Sequence, residues 1–328
     1  MVWTVSFFFC FSLFTTFSLA YPLVPAIYAF GDSLVDVGNN NYLIFSLVKA
    51  NFPHNGVDFP TKKATGRFCN GKNAVDLLAE KVGLPRSPPY LSTVFNLEKR
   101  ENQFLTGVNF GSGGSGIMNR TNQESHLSKS LFVIVTGSND IFSYFGSADL
   151  RNKTTPSQYI NSMVDTLKGQ VKRLYNLGAR KYVIVGIGLI GCTPSERKRN
   201  KAEQCNEEVN HISVKYNGAL NLMLKGLKVE LKDINYSYFD GYSVMQNFVQ
   251  KPAAYGFSEV KAACCGLGKL KADVPCLPFS TFCSNRSNHL FWDASHPTET
   301  AHRIFVDYIF DGPLLYTFPL NVKKLIAT

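Results

Sequence analysis

After its first 20 residues, the sequence has no apolar run that approaches the roughly 18 residues needed to cross a membrane. Charged residues make up only 18% of the chain, which fits neither a disordered nor a coiled-coil composition. The sequence also lacks a His-Glu-x-x-His motif and a Cys-x2-Cys repeat, two spacings typical of zinc sites. Hydrophobic residues make up 45% of the 328 positions, enough for a sizeable core. We therefore expect a soluble protein with one large domain or two small ones.

The first residues form a candidate export signal. An apolar run occupies residues 5–19, and Ser18 and Ala20 place small residues at a spacing typical of signal peptidase cleavage. Because the run is short for a membrane span, a cleaved signal over residues 1–20 is favoured over an N-terminal anchor, although no Lys or Arg precedes it. We expect a single domain over residues 21–328 and a secreted, extracellular destination. The oligomeric state is left open.

Glycosylation sequons and cysteines fit the same route. Asn235 enters a predicted strand, which makes it the least favourable of the sequon asparagines for a glycan. The four candidates are Asn119, Asn152, Asn235 and Asn285.

Seven cysteines follow the one in the candidate signal. Cys192 and Cys205 flank a polar loop, and an oxidising compartment favours disulfides within this pair and within a second group of four. That group consists of Cys264, Cys265, Cys276 and Cys283. Its pairing stays open, because four cysteines allow three connectivities. Cys69 is left over as a predicted free thiol. A zinc cluster is the rival interpretation, which the adjacent Cys264–Cys265 pair disfavours.

The net charge of +10 makes nucleic acid a conceivable partner. The basic residues are scattered, however, apart from Arg197, Lys198 and Arg199 with nearby Lys201. We interpret that group as a solvated loop or helix start. The sequence therefore predicts no nucleic-acid binding, and an anionic extracellular matrix is the more plausible electrostatic partner.

Apolar runs of strand length alternate with helical patterns along the chain. The predicted strands are Ala26–Phe30, Phe104–Phe110, Leu131–Thr136, Tyr182–Val185 and Tyr236–Phe239. The predicted helices are Lys72–Val82, Gln158–Leu177, Glu207–Leu231 and Thr298–Phe310. This alternation predicts an α/β fold, with a mostly parallel sheet covered by helices on both faces. Ligands bind at the carboxyl ends of the strands in such sheets.

A serine near one end of the sequence and an acid–imidazole pair near the other provide the parts of a nucleophilic site. Ser33 follows the first predicted strand, and a serine hydroxyl needs a base before it attacks a carbonyl. Asp293 and His296 are close enough for the carboxylate to orient the ring while its other nitrogen takes a proton. Singly, these residues could be a helix cap and a surface loop. Together they favour catalysis.

Acyl transfer also needs hydrogen-bond donors for the oxyanion. Gly114 lies in a glycine-rich stretch, residues 108–116, that begins at the end of the second predicted strand, and Asn139 follows the third strand. A flexible turn and an Asx turn are the alternative interpretations. Because both residues follow strands, as Ser33 does, we expect all three at one rim of the sheet.

Two other kinds of site are disfavoured. Gly111, Gly113 and Gly116 match G-x-G-x-x-G, but a dinucleotide site also needs a helix starting there and an acidic residue after a second strand. Residues 117–122 are a poor helix, and the acid is missing. His289 with Asp293 and His296 could suggest a metal site, but the spacing matches no metal motif.

Together these blocks resemble the plant-type GDSL esterase/lipases of the SGNH-hydrolase superfamily. The resemblance runs from about Pro25 to Asp311 and includes Asn55–Pro60, Thr65–Phe68, Asn70–Lys72 and Cys264–Gly266. It implies a three-layer α/β/α fold of flavodoxin-like type with a mostly parallel five-stranded sheet. It also implies hydrolysis of carboxylic esters, often acyl lipids, without a metal or organic cofactor.

The resemblance assigns a role to each candidate. Ser33 becomes the nucleophile and first oxyanion amide, Gly114 the second amide and Asn139 a side-chain donor. His296 becomes the general base, oriented by Asp293.

The chain departs from the family pattern at three points. It lacks a helix-containing segment between the glycine stretch and the third strand, so the domain is expected to be shortened between residues 117 and 130. A parallel crossover needs about a dozen residues or more, which makes this connection tight. Gly111 stands where Ala is usual, and Cys69 where Ser is common. Two rivals stay open: an acyltransferase using the same acyl-enzyme, and a catalytically impaired secreted family member or binding protein.

Overall fold

The computed structural model describes residues 22–43, 46–94, 104–114 and 128–328. The candidate signal, most of the shortened connection and the sequon at Asn119 lie outside these residues.

The strands of the described residues make one large sheet and two small ones. They are β1 (Ile27–Gly31), β2 (Gly107–Asn109), β3 (Leu131–Val135), β4 (Lys181–Val185), β5 (Asn235–Phe239), β6 (Glu259–Ala263), β7 (Cys265–Gly266), β8 (Thr281–Phe282), β9 (His289–Phe291) and β10 (Thr317–Pro319). The large sheet has the order β10-β5-β4-β3-β1-β2. Strands β1 to β5 are parallel to one another, and β10 pairs antiparallel with β5. β6 pairs with β9, and β7 pairs with β8.

Helices connect these strands. They are α1 (Ala74–Lys81), α2 (Tyr90–Val94), α3 (Ser138–Gly146), α4 (Ala148–Lys153), α5 (Pro156–Asn176), α6 (Pro194–Arg197), α7 (Glu207–Glu230), α8 (Gly241–Gln250), α9 (Glu299–Asp311) and α10 (Val322–Ile326). Short 3-10 helices span Asn39–Tyr42, Ile190–Cys192, Pro252–Tyr255 and Lys269–Lys271. Capping boxes begin two helices: Asn73 with Asp76 at α1, and Thr155 with Gln158 at α5.

The large sheet has an apolar core on each face. Alternate residues of a strand point to opposite faces, and in β3 Leu131 and Val133 join one core while Phe132 and Ile134 join the other. The first core is closed by α1, α8, α9 and α10, and the second by α3, α5 and α7. The molecule is therefore the predicted three-layer α/β/α sandwich.

The predicted fold class is confirmed, and the large sheet has one strand more than expected. The order β2-β1-β3-β4-β5 is the flavodoxin-like order. The additional strand, β10, is three residues long and ends in Pro319, so it has no alternating pattern by which to recognise it. Proline is tolerated there because β10 lies at the sheet edge.

The disulfides fall within the two predicted groups of cysteines. The bonds are Cys192–Cys205, Cys264–Cys283 and Cys265–Cys276. Of the described cysteines, Cys69 is the one outside a disulfide, and burial raises the pKa of its thiol.

The described sequons differ in exposure. Asn152 on α4 and Asn285 in a loop are exposed, whereas the sequon at Asn235 includes Ser237, which is fully buried in β5. In the part of the chain that the structure describes, no helix has the length and hydropathy of a membrane span.

Candidate active site

Ser33 lies at the carboxyl end of β1, where the strand turns sharply. The amides of Val35 and Asp36 donate to the carbonyl of Asp32 at 3.3 and 3.1 Å, and Ser33, which is partly exposed, lies within this turn. The turn starts at Gly31, where a Cβ atom would lie 2.3 Å from the carbonyl oxygen of Val135. Only glycine lets β1 and β3 approach this closely. Since β1 lies between β2 and β3, Ser33 occupies the switch point of the sheet, where such folds bind ligands.

The acid–imidazole pair lies on a short turn after β9. The amide of Trp292 donates to the carbonyl of His296 at 2.7 Å, which closes the turn. The carboxylate of Asp293 accepts the amides of Ser295 and His296 at 2.9 Å each. A second loop supports the turn, because the amide of Ser195 donates to the carbonyl of Ala294 at 2.9 Å.

The structure brings Ser33, His296 and Asp293 into one hydrogen-bonded series. Ser33 Oγ lies 2.7 Å from His296 Nε2, and His296 Nδ1 lies 2.8 Å from both carboxylate oxygens of Asp293. A carboxylate can only accept, so Nδ1 carries the proton and Nε2 accepts from the serine hydroxyl. The predicted convergence of residues 263 positions apart is thus observed.

The pKa values of the pair reflect their contact. Burial alone lowers the pKa of His296, but the charge of Asp293, the hydrogen bond to it and the charge of Asp32 together raise this pKa above its usual value. Burial raises the pKa of Asp293, and His296 outweighs that effect and lowers it. The carboxylate is therefore ionised and favours a positive charge on the ring.

Asp32 places a second carboxylate near the imidazole. Its side chain is 2% exposed, and burial raises its pKa despite the amide of Leu34, which donates to it at 3.0 Å. Attraction to His296 lowers this pKa and repulsion from Asp140 raises it. Asp32 thus acts on the ring through space, whereas Asp293 is hydrogen-bonded to it.

The two predicted oxyanion donors follow the two strands that flank β1. Gly114 follows β2, Asn139 lies in the first turn of α3 after β3, and these two strands are the neighbours of β1. The ring of Phe68 lies between the glycine stretch and the imidazole of His296. A Cβ on Gly113 would lie 2.7 Å from the Phe68 ring, whose centroid is 5.3 Å from that of His296.

Several residues of the site were missed from the sequence. Phe68 belongs to a recognised motif, but nothing in its spacing indicates contact with His296. Asp36 and Asn40 follow Ser33 in the first block, and their side chains bind the backbone of the glycine stretch. The only hint in the sequence is that polar side chains follow Ser33 and that a stretch rich in backbone amides follows the neighbouring strand.

An apolar cavity of about 80 Å³ lies beside the site, at the carboxyl ends of β3, β4 and β5. Its walls include Leu34, Ser138 and Pro297, which adjoin Ser33, Asn139 and His296 in the sequence. His302 also lines it; burial lowers the pKa of this ring to about 4, and its Nδ1 has no hydrogen-bond partner within the described structure.

The residues of the rival metal interpretation make other contacts. His289 Nδ1 lies 2.7 Å from Asn288 Oδ1, while Asp293 is occupied by His296. Across residues 22–43, 46–94, 104–114 and 128–328, no three His, Cys, Asp or Glu side chains form a group that could hold a metal ion.

A doubly wound α/β sheet with serine, imidazole and carboxylate in series at its carboxyl edge has the arrangement typical of a serine hydrolase. Comparison with known proteins narrows this class. The chain belongs to the GDSL-like lipase/acylhydrolase family, whose model matches residues 27–309.

Its relatives include several Arabidopsis thaliana proteins. It is 48% identical to GDSL esterase/lipase At5g55050 over 93% of this chain and 90% of that protein. It is 36% identical to GDSL esterase/lipase At1g71691, over 93% of this chain and 86% of the relative. The protein is accordingly a carboxylic ester hydrolase of this family. Among solved structures, an acetyl xylan esterase, Axe2 of Geobacillus stearothermophilus, is 14% identical with a TM-score of 0.40, covering 86% of this chain and 90% of that chain.

Proposed function

We propose that the protein is secreted and hydrolyses acyl or lipid esters through an acyl-enzyme on Ser33, with His296 as general base and Asp293 as its orienting acid. The 2.7 Å contact between Ser33 Oγ and His296 Nε2 carries this proposal. A serine hydroxyl gains nucleophilicity when a neutral imidazole accepts its proton.

In the first half-reaction, Ser33 Oγ forms a bond to the ester carbonyl carbon while its proton moves to His296 Nε2. The carbonyl oxygen becomes an oxyanion. As the tetrahedral intermediate collapses, the bond to the alkoxy oxygen breaks, and His296 returns the proton to the departing alcohol. Asp293 stabilises the imidazolium throughout.

In the second half-reaction, water attacks the acyl-enzyme. His296 takes one proton from the water and then donates it to Ser33 Oγ as the acyl–serine bond breaks. The acid product leaves and the original hydroxyl is restored. No redox group takes part in this sequence.

The oxyanion needs donors placed before the reaction begins. The amides of Ser33 and Gly114 and the side chain of Asn139 are assigned this role. The sheet order supports this assignment, since Gly114 and Asn139 follow the two strands next to β1, whose carboxyl end carries Ser33.

The cavity beside the site supports an apolar acyl group in the substrate. A volume of about 80 Å³ is several times the roughly 10–15 Å³ that one water needs, and far below the roughly 300 Å³ of a drug-sized ligand pocket. Short acyl chains therefore fit best. Secretion is supported by the three disulfides, which persist in oxidising compartments.

The test is a fluorophosphonate probe, which labels a serine only when its base is assembled. We expect labelling at Ser33, its loss in Ser33→Ala, and a parallel loss of p-nitrophenyl ester hydrolysis. Ser162→Ala, on an exposed position of α5, is the matched control and should keep both. Hydrolysis at the parental rate by Ser33→Ala would exclude the proposal. Adding a polyol acceptor separates hydrolysis from acyl transfer, and an unlabelled folded protein would indicate an impaired member.

A further inference from the structure

The loop after Ser33 carries a buried row of polar side chains that bind the glycine stretch. Asp36, Asn39 and Asn40 are 0%, 3% and 1% exposed. Asp36 accepts the amides of Gly38 and Asn39 at 2.7 and 2.8 Å through Oδ1. Asn39 Nδ2 donates to the carbonyls of Asn109 and Gly111 at 2.8 and 2.7 Å. Buried polar groups are hydrogen-bonded in native structures, and most partners of this row are main-chain groups.

Gly113 is held from both sides by this row. Its amide donates to Asp36 Oδ2 at 2.8 Å, and its carbonyl accepts from Asn40 Nδ2 at 2.8 Å. The Gly113 carbonyl shares one peptide group with the amide of Gly114. A peptide bond is planar and trans, so its carbonyl and its N–H point in opposite directions. The side chain of Asn40 therefore fixes the direction of the Gly114 N–H, which points away from it.

Asn40 itself has no freedom to turn. Its Nδ2 also donates to the carbonyl of Val48 at 2.7 Å, and its Oδ1 accepts from Ser112 Oγ at 2.5 Å. With both ends of the amide engaged, a rotation would break three hydrogen bonds at once. The Phe68 ring beside His296 also leaves little room at Gly113, since a Cβ atom built there would lie 2.7 Å from that ring.

We propose that Asn40 is a positioning residue that aims the Gly114 amide at the oxyanion of the reacting ester. This rests on the proposed function, in which Gly114 supplies that amide. Asn40 contacts the glycine stretch and not the ester, so its effect is expected on the transition state, where the negative charge develops, and not on binding of the neutral ester.

Asn39 provides a matched control. It is the adjacent residue, equally buried, and also donates to two carbonyls of the same stretch. Those carbonyls belong to peptide groups other than the one that contains the Gly114 amide. Loss of either side chain removes a similar set of hydrogen bonds, but only loss of Asn40 releases the oxyanion amide.

The experiment compares Asn40→Ala with Asn39→Ala on p-nitrophenyl acetate. For Asn40→Ala we expect kcat to fall about a hundredfold with KM unchanged, the usual effect of losing one oxyanion donor. For Asn39→Ala we expect a similar change in melting temperature and a kcat within a fewfold of the parent. Inhibition supplies a second readout. A methyl trifluoromethyl ketone, which forms a charged tetrahedral adduct, should lose affinity in step with kcat/KM, while the corresponding neutral methyl ketone should not.

Ser112→Ala covers the case in which Asn40→Ala does not fold. Ser112 is partly exposed, and removing its hydroxyl only loosens Asn40, so a severalfold loss of kcat with the same inhibitor pattern is expected. Equal kcat losses in the Asn39 and Asn40 variants, or losses in affinity for both ketones alike, would overturn the positioning role alone. Absence of Ser33-dependent hydrolysis in the unaltered protein would overturn the proposed function with it.

Discussion

The two halves of the candidate active site are held in different ways. In the half around Ser33, residues 32–40 with 111–114, the buried side chains of Asp36 and Asn40 bind backbone groups of the loop and of Gly113. The half around His296, residues 291–297, is fixed mainly by backbone contacts and neighbouring disulfides. The amides of Cys264 and Cys265 donate to the carbonyls of Phe291 and Trp292 at 3.0 and 2.7 Å, and both cysteines are in disulfides.

The difference lies in what each half can tolerate. A polar network loses its geometry when one donor becomes an acceptor, because the buried partner is left unsatisfied. A cross-linked loop depends in addition on an oxidising environment, which keeps its disulfides intact. We therefore expect substitutions and reducing conditions to affect the stability and activity of the two halves differently.

The largest effect is expected for Asp293→Asn. The amide cannot hold His296 in the reactive tautomer, so kcat should fall about 10⁴-fold. Because His296 must be neutral to act and its pKa is raised, the acidic limb of kcat/KM in the parent should lie above about pH 6.5. Removing the carboxylate charge lowers that pKa and should move the limb to lower pH.

Asp32→Asn is the control from the other half, to be measured by the same pH profile of kcat/KM. It removes a charge that raises the pKa of His296 through space but leaves the Asp293 hydrogen bonds in place. We expect a smaller shift in the same direction and a much smaller loss of kcat. An equal loss in both variants would contradict the distinct role of Asp293.

The next effect concerns the cross-linked half. Replacing Cys265 and Cys276 together by Ala should lower the free energy of unfolding by about 2–4 kcal/mol. It should also reduce kcat, because the cysteine backbone supports the turn that carries His296. Denaturant unfolding and ester hydrolysis measure the two effects.

The control replaces Cys192 and Cys205, whose sequence separation of 13 is close to the 11 of Cys265–Cys276. We expect a similar loss of stability and a smaller loss of kcat, since these cysteines do not bond to residues 291–292. The comparison fails if the two double variants have the same kcat.

In the polar half, Asp36→Asn should cost about 1–3 kcal/mol of unfolding free energy, because one N–H of the loop or of Gly113 then faces an amide donor. This loss should be the same with and without a reductant, as measured by urea unfolding. Asp58, whose side chain is 26% exposed and lies outside the site, is the matched position, and Asp58→Asn should also respond to salt because it loses an ion pair with Arg286.

The smallest effect is expected for the cavity. Val185→Phe should fill part of it and lower the ratio of octanoate to acetate ester hydrolysis by about tenfold, while acetate turnover stays near that of the parent. Val229→Phe adds the same bulk at a position 88% exposed on α7 and should leave the ratio unchanged. A chain-length profile of p-nitrophenyl esters measures both. An unchanged profile for Val185→Phe would mean that the acyl group binds elsewhere.

Much of the fold could be predicted because it follows local patterns. The apolar stripe on the helix predicted over Glu207–Leu231 gives the observed α7 to within a residue, and the run at Leu131 gives β3. The second predicted strand, Phe104–Phe110, is observed only as Gly107–Asn109, because residues 104–106 form a turn. Apolar character alone cannot distinguish such a turn from the strand that follows it.

The site was less predictable beyond its reacting groups. Few residue types can act as nucleophile, base and orienting acid. The presence of Ser33, Asp293 and His296 within recognisable motifs was therefore enough to predict that they lie together. Asp36 and Asn40 are common loop residues, and their partners lie 77 and 73 positions away on Gly113. Such contacts depend on how two loops meet, which no periodicity encodes. The pairing of the clustered cysteines was open for the same reason.

The wide separation of Ser33 and His296 also has a consequence for biosynthesis. The serine leaves the ribosome 263 residues before the imidazole that would activate it. Until nearly the whole polypeptide has been made and the late turn has docked, the hydroxyl is chemically ordinary. With the proposed mechanism, ester hydrolysis therefore cannot begin until synthesis is nearly complete and the two ends of the chain have folded against each other.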